Sequence, residues 1–271
     1  MNDWLTARRA PGRIGAAGWL RLCLKGALIG GVTYGCLVLM LVLRLVERPL
    51  FGLRRPWTPW ITQFVCRFTL AVMGLRLILR GRPLREPGAM VANHSGWMDI
   101  FALNAATRLY FVSKSEVAGW PGIGWLARAT GTVFITRKGT EAKVQQAVFE
   151  ERLTAGHHLM FFPEGTSSDS RRVLPFKSTL FAAFFAPALR DRLMVQPVTV
   201  IWHAPPGQDG RFYGWWGDMD FGPHLAEVLA TPRQGRVEVI FHPPLRVADF
   251  PDRKALSAAA EAAVRKHHPD A

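Results

Sequence analysis

The chain has 271 residues, about half of them apolar, which suffices for one sizeable core or one catalytic domain with an appendage and excludes a second full domain. Lysine and arginine outnumber aspartate and glutamate 34 to 20, a net charge of +14, which favours anionic partners such as phosphates, lipid headgroups or nucleic acid without choosing among them. Cys23, Cys36 and Cys66 all sit in apolar stretches without CxxC spacing and read as small buried hydrophobes in a reducing compartment.

The first element is "GALIGGVTYGCLVLMLVL" between Lys25 and Arg44, uncharged throughout. As a helix it reaches about 27 Å, just short of a bilayer core of about 30 Å. No small-residue cleavage site follows before Arg44, which argues against a secretory signal. Arginines and a lysine flank both ends, and Gly26, Gly30, Gly31 and Gly35 fall in its first half, so a span and a segment that dips in and returns both fit. The next stretch, Trp57 to Leu79, mixes paired tryptophans with Arg67 and Arg76 and is expected to form an interfacial amphipathic helix. Nine arginines between Arg44 and Arg85 would lie against anionic headgroups. Residues 1–85 are thus expected to anchor the chain to a membrane and residues 86–271 to form an α/β domain.

From residue 89, short apolar runs alternate with helical patterns. "AMVA" leads to a helix around 97–106, "LYFVS" to one around 116–129, "TVFIT" to one around 140–154 and "HLMFF" to one around 176–189. "LMVQPVTVIW", a loop rich in Gly, Pro and Trp at 204–224, "RVEVIFHP" and a helix from about Asp252 to Lys266 complete the rhythm of an α/β fold. In such sheets the working residues gather after strand ends. Four segments are set there: "NHSGWMD" after the first run, "TRKG" after the third, "PEGTSS" after the fourth and the region of "QPV" in the fifth.

His94 and Asp99 are five residues apart. Five residues advance a helix by about 500°, so on one regular helix the two could not meet. A pair therefore requires His94 to stand before the helix, with Ser95 near its N-cap and Asp99 reaching back from the first turns. The plain alternative is that Ser95 caps and Asp99 favours the helix dipole, worth about 0.3 to 1 kcal/mol. If paired, the carboxylate fixes the imidazole tautomer and frees the other nitrogen to take a proton from a hydroxyl. No nucleophile elbow surrounds Ser95, which argues against an acyl-enzyme.

"FFPEGTSSDSRRVLPFK" supplies a second wall. Glu164 can accept from an acceptor's hydroxyl or ammonium, Arg171, Arg172 and Lys177 can hold a carboxylate or phosphate, and Arg137 is a further anion contact. Seven other histidines make no ligand spacing with cysteine or acid partners, so no metal site is expected.

Together these blocks resemble the 1-acylglycerol-3-phosphate O-acyltransferase (PlsC-type) family over roughly residues 60–245. "NHSGWMD" looks like its N-H-x4-D block, "GTVFITRKG" like its second, "FPEGTSS" like its F-P-E-G-T block and "VQPVTV" like its proline-containing fourth. The resemblance implies a mixed sheet flanked by helices and docked to the membrane by the N-terminal helices. It makes His94 the general base that deprotonates a lyso-lipid hydroxyl, Asp99 its holder, and an acyl-CoA or acyl carrier protein thioester the co-substrate. No bound cofactor, metal or covalent enzyme intermediate is implied. Arg137, Glu164, Gly165 and Thr166 would belong to acceptor binding. The implied setting is the bacterial inner membrane with the catalytic domain facing the cytoplasm.

Two positions depart from the pattern of phosphatidate-forming members: Ser167 stands where an arginine commonly follows "FPEGT", and Thr136 where an acid precedes the second block's arginine. With "FPEGTSSDSRRVLPFKSTLF", this favours the subset that acylates lyso-ornithine lipid and related lyso-aminolipids. A 1-acylglycerol-3-phosphate acceptor is the alternative. A non-catalytic anionic-lipid-binding protein would explain the charge and the apolar start but not four ordered blocks. No nucleic acid partner is expected, because no module pattern for one occurs.

Overall fold

The computed structural model describes Trp4, residues 12–136 and residues 142–269. A 36-residue helix, α1 (Ala16–Phe51), runs unbroken through the apolar stretch, about 54 Å at the usual rise per residue. Its glycines do not turn it back; the chain reverses after Phe51, where Gly52 takes φ 59. By length and composition α1 is able to cross a membrane. Leu24, Leu28, Leu41 and Leu45 are exposed on it, Leu45 by 75 %, an apolar surface suited to lipid rather than water. Because protein covers only part of α1, Cys23 is exposed, which corrects the expectation that all three cysteines are buried; Cys36 is half-buried and Cys66 buried.

Helix α2 (Thr58–Met73) follows. Glu47 of α1 supplies the N-terminal acceptor that the sequence of α2 lacks, accepting from the Trp57 and Thr58 amides at 2.8 and 3.1 Å and from the Thr58 hydroxyl at 2.8 Å. Trp57, Trp60 and Phe64 are exposed, as an interfacial helix requires. The helix stops earlier than the expected Leu79. Gly74 closes it in the left-handed region (φ 85), and Arg76–Arg80 becomes strand β1. Arg67, exposed on this helix, donates from its Nε to the Ala105 carbonyl at 2.9 Å, at the negative end of α3 (Met98–Ala106).

The remaining strands are β2 (Gly88–Ala92), β3 (Tyr110–Lys114), β4 (Val133–Ile135), β5 (His158–Phe161), β6 (Met194–His203), β7 (Arg236–Phe241) and β8 (Leu245–Arg246). They form one mixed sheet in the order β1-β7-β6-β2-β5-β3-β4, with β8 beside β6. Strands β6, β2, β5, β3 and β4 run parallel, β7 lies antiparallel to β6, and β1 is parallel to β7. This is the expected mixed sheet flanked by helices. Alternation along β2 sends Met90 and Ala92 to a core with Leu70 of α2, Leu103 of α3 and Val228 of α7 (Phe221–Ala230). Ala89 and Val91 face a second core with Phe149 of α5 (Ala142–Thr154), Phe181, and Leu256 of α8 (Arg253–Arg265). β2 is therefore buried on both faces and along its whole length.

Two expected helices are broken. Residues 116–129 divide into a 3-10 turn, Ser115–Gly119, and α4 (Ile123–Thr130), because Pro121 and the left-handed Gly122 (φ 70) interrupt the run. Residues 176–189 form a 3-10 helix, Ser178–Phe185, and a short α6 (Pro187–Arg190); Ala186, preceding proline, takes ψ 138 and ends the first piece.

Candidate active site

The central strand β2 ends at Ala92, and the loop that follows lies between the C-terminal parts of β5 and β6. Asn93, fully buried, continues the β2–β6 ladder with its side chain: Nδ2 donates to the Val200 carbonyl and Oδ1 accepts from the Val200 amide, both at 2.8 Å. This fixes where the next residue begins. His94 precedes α3, and its Nδ1 lies 2.8 Å from Asp99 Oδ2, so the two residues meet in the way that their spacing demands.

Asp99 is fully buried and its carboxylate is fully used. Oδ2 also accepts from the amides of Ser95 at 2.7 Å and Gly96 at 3.0 Å, and Oδ1 accepts from Trp202 Nε1 at 2.7 Å. Ser95 does not cap α3: Trp97 holds the N-cap place, and among the described residues the buried Ser95 hydroxyl has no hydrogen-bond partner. The aspartate, in the first turn, reaches back to amides that precede the cap. A carboxylate bonded this way holds the proton on Nδ1 and leaves the Nε2 lone pair as the basic atom. The His94 ring stacks on Phe162 at 3.9 Å, and the side chain keeps 20 % of its exposure, enough for a reactant to reach it.

The loop after β5 grips the same residue from the other side. Glu164 Oε1 accepts from the His94 amide at 3.2 Å, and the His94 carbonyl accepts from the Ser168 amide at 2.8 Å and from its hydroxyl at 3.2 Å. Both backbone polar groups of His94 are thereby fixed. Burial pushes the Glu164 carboxyl well above its ordinary range and the Asp99 charge adds to the rise, while bonds from the His94 and Leu174 amides oppose it. Gly165 turns the chain in the left-handed region (φ 72). A third segment closes over the loop: the Trp215 amide donates to the Ser95 carbonyl at 2.8 Å, and a Cβ on Gly96 would come within 2.8 Å of Trp215 Cβ.

The other expected residues are more scattered. Thr166, Arg171 and Lys177 are exposed, while Ser167 is buried. Arg172 makes a two-pronged contact with the buried Asp169, both bonds at 3.0 Å. Asp169, Arg171, Arg172, Asp209 and Arg211 line a groove of about 610 Å³. Arg137 lies outside the described residues; Thr136 before it is bonded through its hydroxyl to Gln145. Sequence reasoning missed Asn93, Phe162, Ser168, Trp202 and Trp215. Trp202 carried a signal, being a tryptophan near the C-terminal end of a strand in the sheet that bears His94.

The acyltransferase family profile matches residues 76–201, which include β1 to β5, most of β6 and both loops around His94. A lyso-ornithine lipid O-acyltransferase of Rhodobacter capsulatus is 62 % identical over 92 % of this chain and 90 % of its own length. The chain belongs to the PlsC-type acyltransferase family. It is therefore an O-acyltransferase. A second lyso-ornithine lipid O-acyltransferase, of Brucella abortus, is 37 % identical over 79 % of the chain and 83 % of its own length. A 1-acyl-sn-glycerol-3-phosphate acyltransferase of Neisseria meningitidis is 39 % identical, but over 42 % of the chain and 46 % of its own length. The fold also matches the crystal structure of the 1-acyl-sn-glycerophosphate acyltransferase PlsC of Thermotoga maritima, with a TM-score of 0.63, 21 % identity, and coverage of 91 % of this chain and 93 % of that one. The apolar α1, joined to an acyltransferase fold with lipid-modifying relatives, makes this a membrane-associated enzyme.

Proposed function

We propose that the enzyme transfers a fatty acyl group from the thioester of coenzyme A or acyl carrier protein to the free hydroxyl of lyso-ornithine lipid, with His94 as general base. The observation that carries the mechanism is the 2.8 Å contact between His94 Nδ1 and the fully bonded Asp99. Nε2 takes the proton of the acceptor hydroxyl as its oxygen attacks the thioester carbonyl. The tetrahedral adduct then collapses, the C–S bond breaks, and the imidazolium returns the proton to the departing thiolate. A thioester is already activated, so a base and alignment supply most of what the step needs.

The acceptor assignment is supported by relatives bearing that name over nearly their full length and by the buried Ser167 at the place of a phosphate-reading arginine. Ornithine carries both a carboxylate and an ammonium. The groove lined by Asp169, Arg171, Arg172 and Asp209 carries groups of both charges, the complements such a headgroup calls for, and this reading assigns Gly165, Thr166, Lys177 and Arg137 to acceptor binding as well. Glu164 acts in this reading through the His94 loop. The enzyme works from the inner membrane with the sheet on the cytoplasmic side, where acyl thioesters are made.

His94→Ala and Asp99→Asn are each expected to reduce transfer at least about 100-fold while the protein still partitions to membranes; turnover retained in either variant would sink the mechanism. With one acyl donor, lyso-ornithine lipid is expected to outcompete lysophosphatidate. The reverse order rejects the acceptor and favours the phosphatidate-forming alternative.

A further inference from the structure

A cavity of about 820 Å³ opens at the pole of the sheet opposite His94. Its lining includes Leu84 and Arg85 before β2, Arg108 and Tyr110 at the start of β3, and His157 and His158 at the start of β5. The loops bearing His94 and Glu164 leave from the other ends of β2 and β5. Since β2 has five residues, the two places are separated by at least about 16 Å of sheet.

Five guanidinium groups, those of Arg54, Arg55, Arg82, Arg85 and Arg108, line this cavity, and among the described residues no carboxylate does. Among the described residues Arg54, Arg82, Arg85 and Arg108 have no ion-pair partner. Arg55 is anchored by its bond to the Ala129 carbonyl at 2.7 Å. Burial, and after it the nearby Arg44, bring its pKa down to about 10, so this guanidinium stands largely out of water. His157 does not share that charge, because burial lowers its pKa to about 3.

The rim points to where an anion would come from. Phe51, the last residue of α1, lines the cavity, and Trp60 stands exposed beside it with the Arg108 guanidinium 3.8 Å from its ring centre. Charge for a phosphate thus adjoins the end of the apolar face of α1 and the exposed aromatics of α2, the order of chemistry found across a bilayer interface. We propose that this cavity binds the phosphate of an anionic glycerophospholipid of the surrounding bilayer, whose acyl chains lie against α1 and α2. This site is separate from the acceptor site and independent of which acceptor the enzyme uses.

Native mass spectrometry of the full chain in detergent, titrated with phosphatidylglycerol or phosphatidylcholine, tests the proposal. One phosphatidylglycerol is expected to be retained per chain, in preference to phosphatidylcholine. Combining Arg54→Ala, Arg85→Ala and Arg108→Ala is expected to reduce retention about tenfold or more. Removing the same charge from exposed positions of α8 and its end, by Arg253→Ala, Lys254→Ala and Lys266→Ala, should leave retention unchanged. Acyl transfer in micelles should stay within about twofold in both variants, since neither touches the catalytic loops. Should the cavity triple fail to fold, Arg85→Ala alone is expected to lower retention measurably. Equal losses in the two triples, or equal retention of the two lipids, would overturn the proposal. Displacement of phosphatidylglycerol by millimolar glycerol phosphate would overturn the lipid source and assign the cavity to a soluble phosphate.

Discussion

At the level of single residues, the site is defined less by His94 than by what surrounds Asp99. Four donors converge on one buried carboxylate, and one of them, Trp202 Nε1, comes from a strand more than a hundred positions away. Trp202→Phe keeps the ring but removes that donor, so kcat is expected to fall about tenfold, the rate equivalent of one lost bond to a charged group, with KM for the acyl donor little changed. Glu164 makes a different prediction. Its raised pKa means that the folded chain holds a proton that the unfolded chain releases above its ordinary value of 4.5. The native state then binds more protons, so this contribution is fully present below that value and is lost as pH rises toward the folded pKa. Glu164→Gln mimics the neutral acid. Melting temperatures of the two proteins should diverge with increasing pH in favour of the glutamine variant, and parallel curves would show that Glu164 is ionised in the fold.

At the level of elements, the strand ends do the positioning. The loops of β2 and β5 meet because the two strands are adjacent and parallel, and Asn93 extends the ladder one step past Ala92 to set the entry angle. Asn93→Ala leaves the buried amide and carbonyl of Val200 without partners, and a loss of about 2 to 4 kcal/mol is expected from denaturant unfolding. Asn93→Asp should not restore it, because one of the two bonds needs a donor. Much of this level was legible in the chain. The apolar runs at 89–92, 109–113 and 158–162 marked strands, and the polar segments after the first and last of these marked loops, since burial on both faces leaves a plain hydrophobic signature. The residues joined across the sheet were not legible, because Asn93 with Val200 and Asp99 with Trp202 depend on strand order. The strand at Arg76–Arg80 was hidden for a different reason: three of its five residues face solvent at the sheet edge, so its pattern merges with the helix before it.

At the level of the whole molecule, a catalytic sheet is held beside a long helix whose outer surface is apolar. Arg21 Nε donates to the Ala230 carbonyl at 2.7 Å and Lys25 Nζ to the Met73 carbonyl at 3.0 Å, so α1 is tied to the C-terminal ends of both α7 and α2. Leu41→Glu with Leu45→Glu places two charges on the exposed side without touching those ties. Cell fractionation should then shift the protein from membrane pellet toward the soluble phase, while the sheet keeps its melting behaviour. The pairing of β1 adds a consequence in time. Arg76 lies opposite Arg236, 160 positions later in the chain. During synthesis α1 and α2 leave the ribosome long before the strand that β1 needs has been made, so the apolar helix can engage lipid while the catalytic sheet still lacks one of its edges. The order of the chain thus allows anchoring before the sheet is complete.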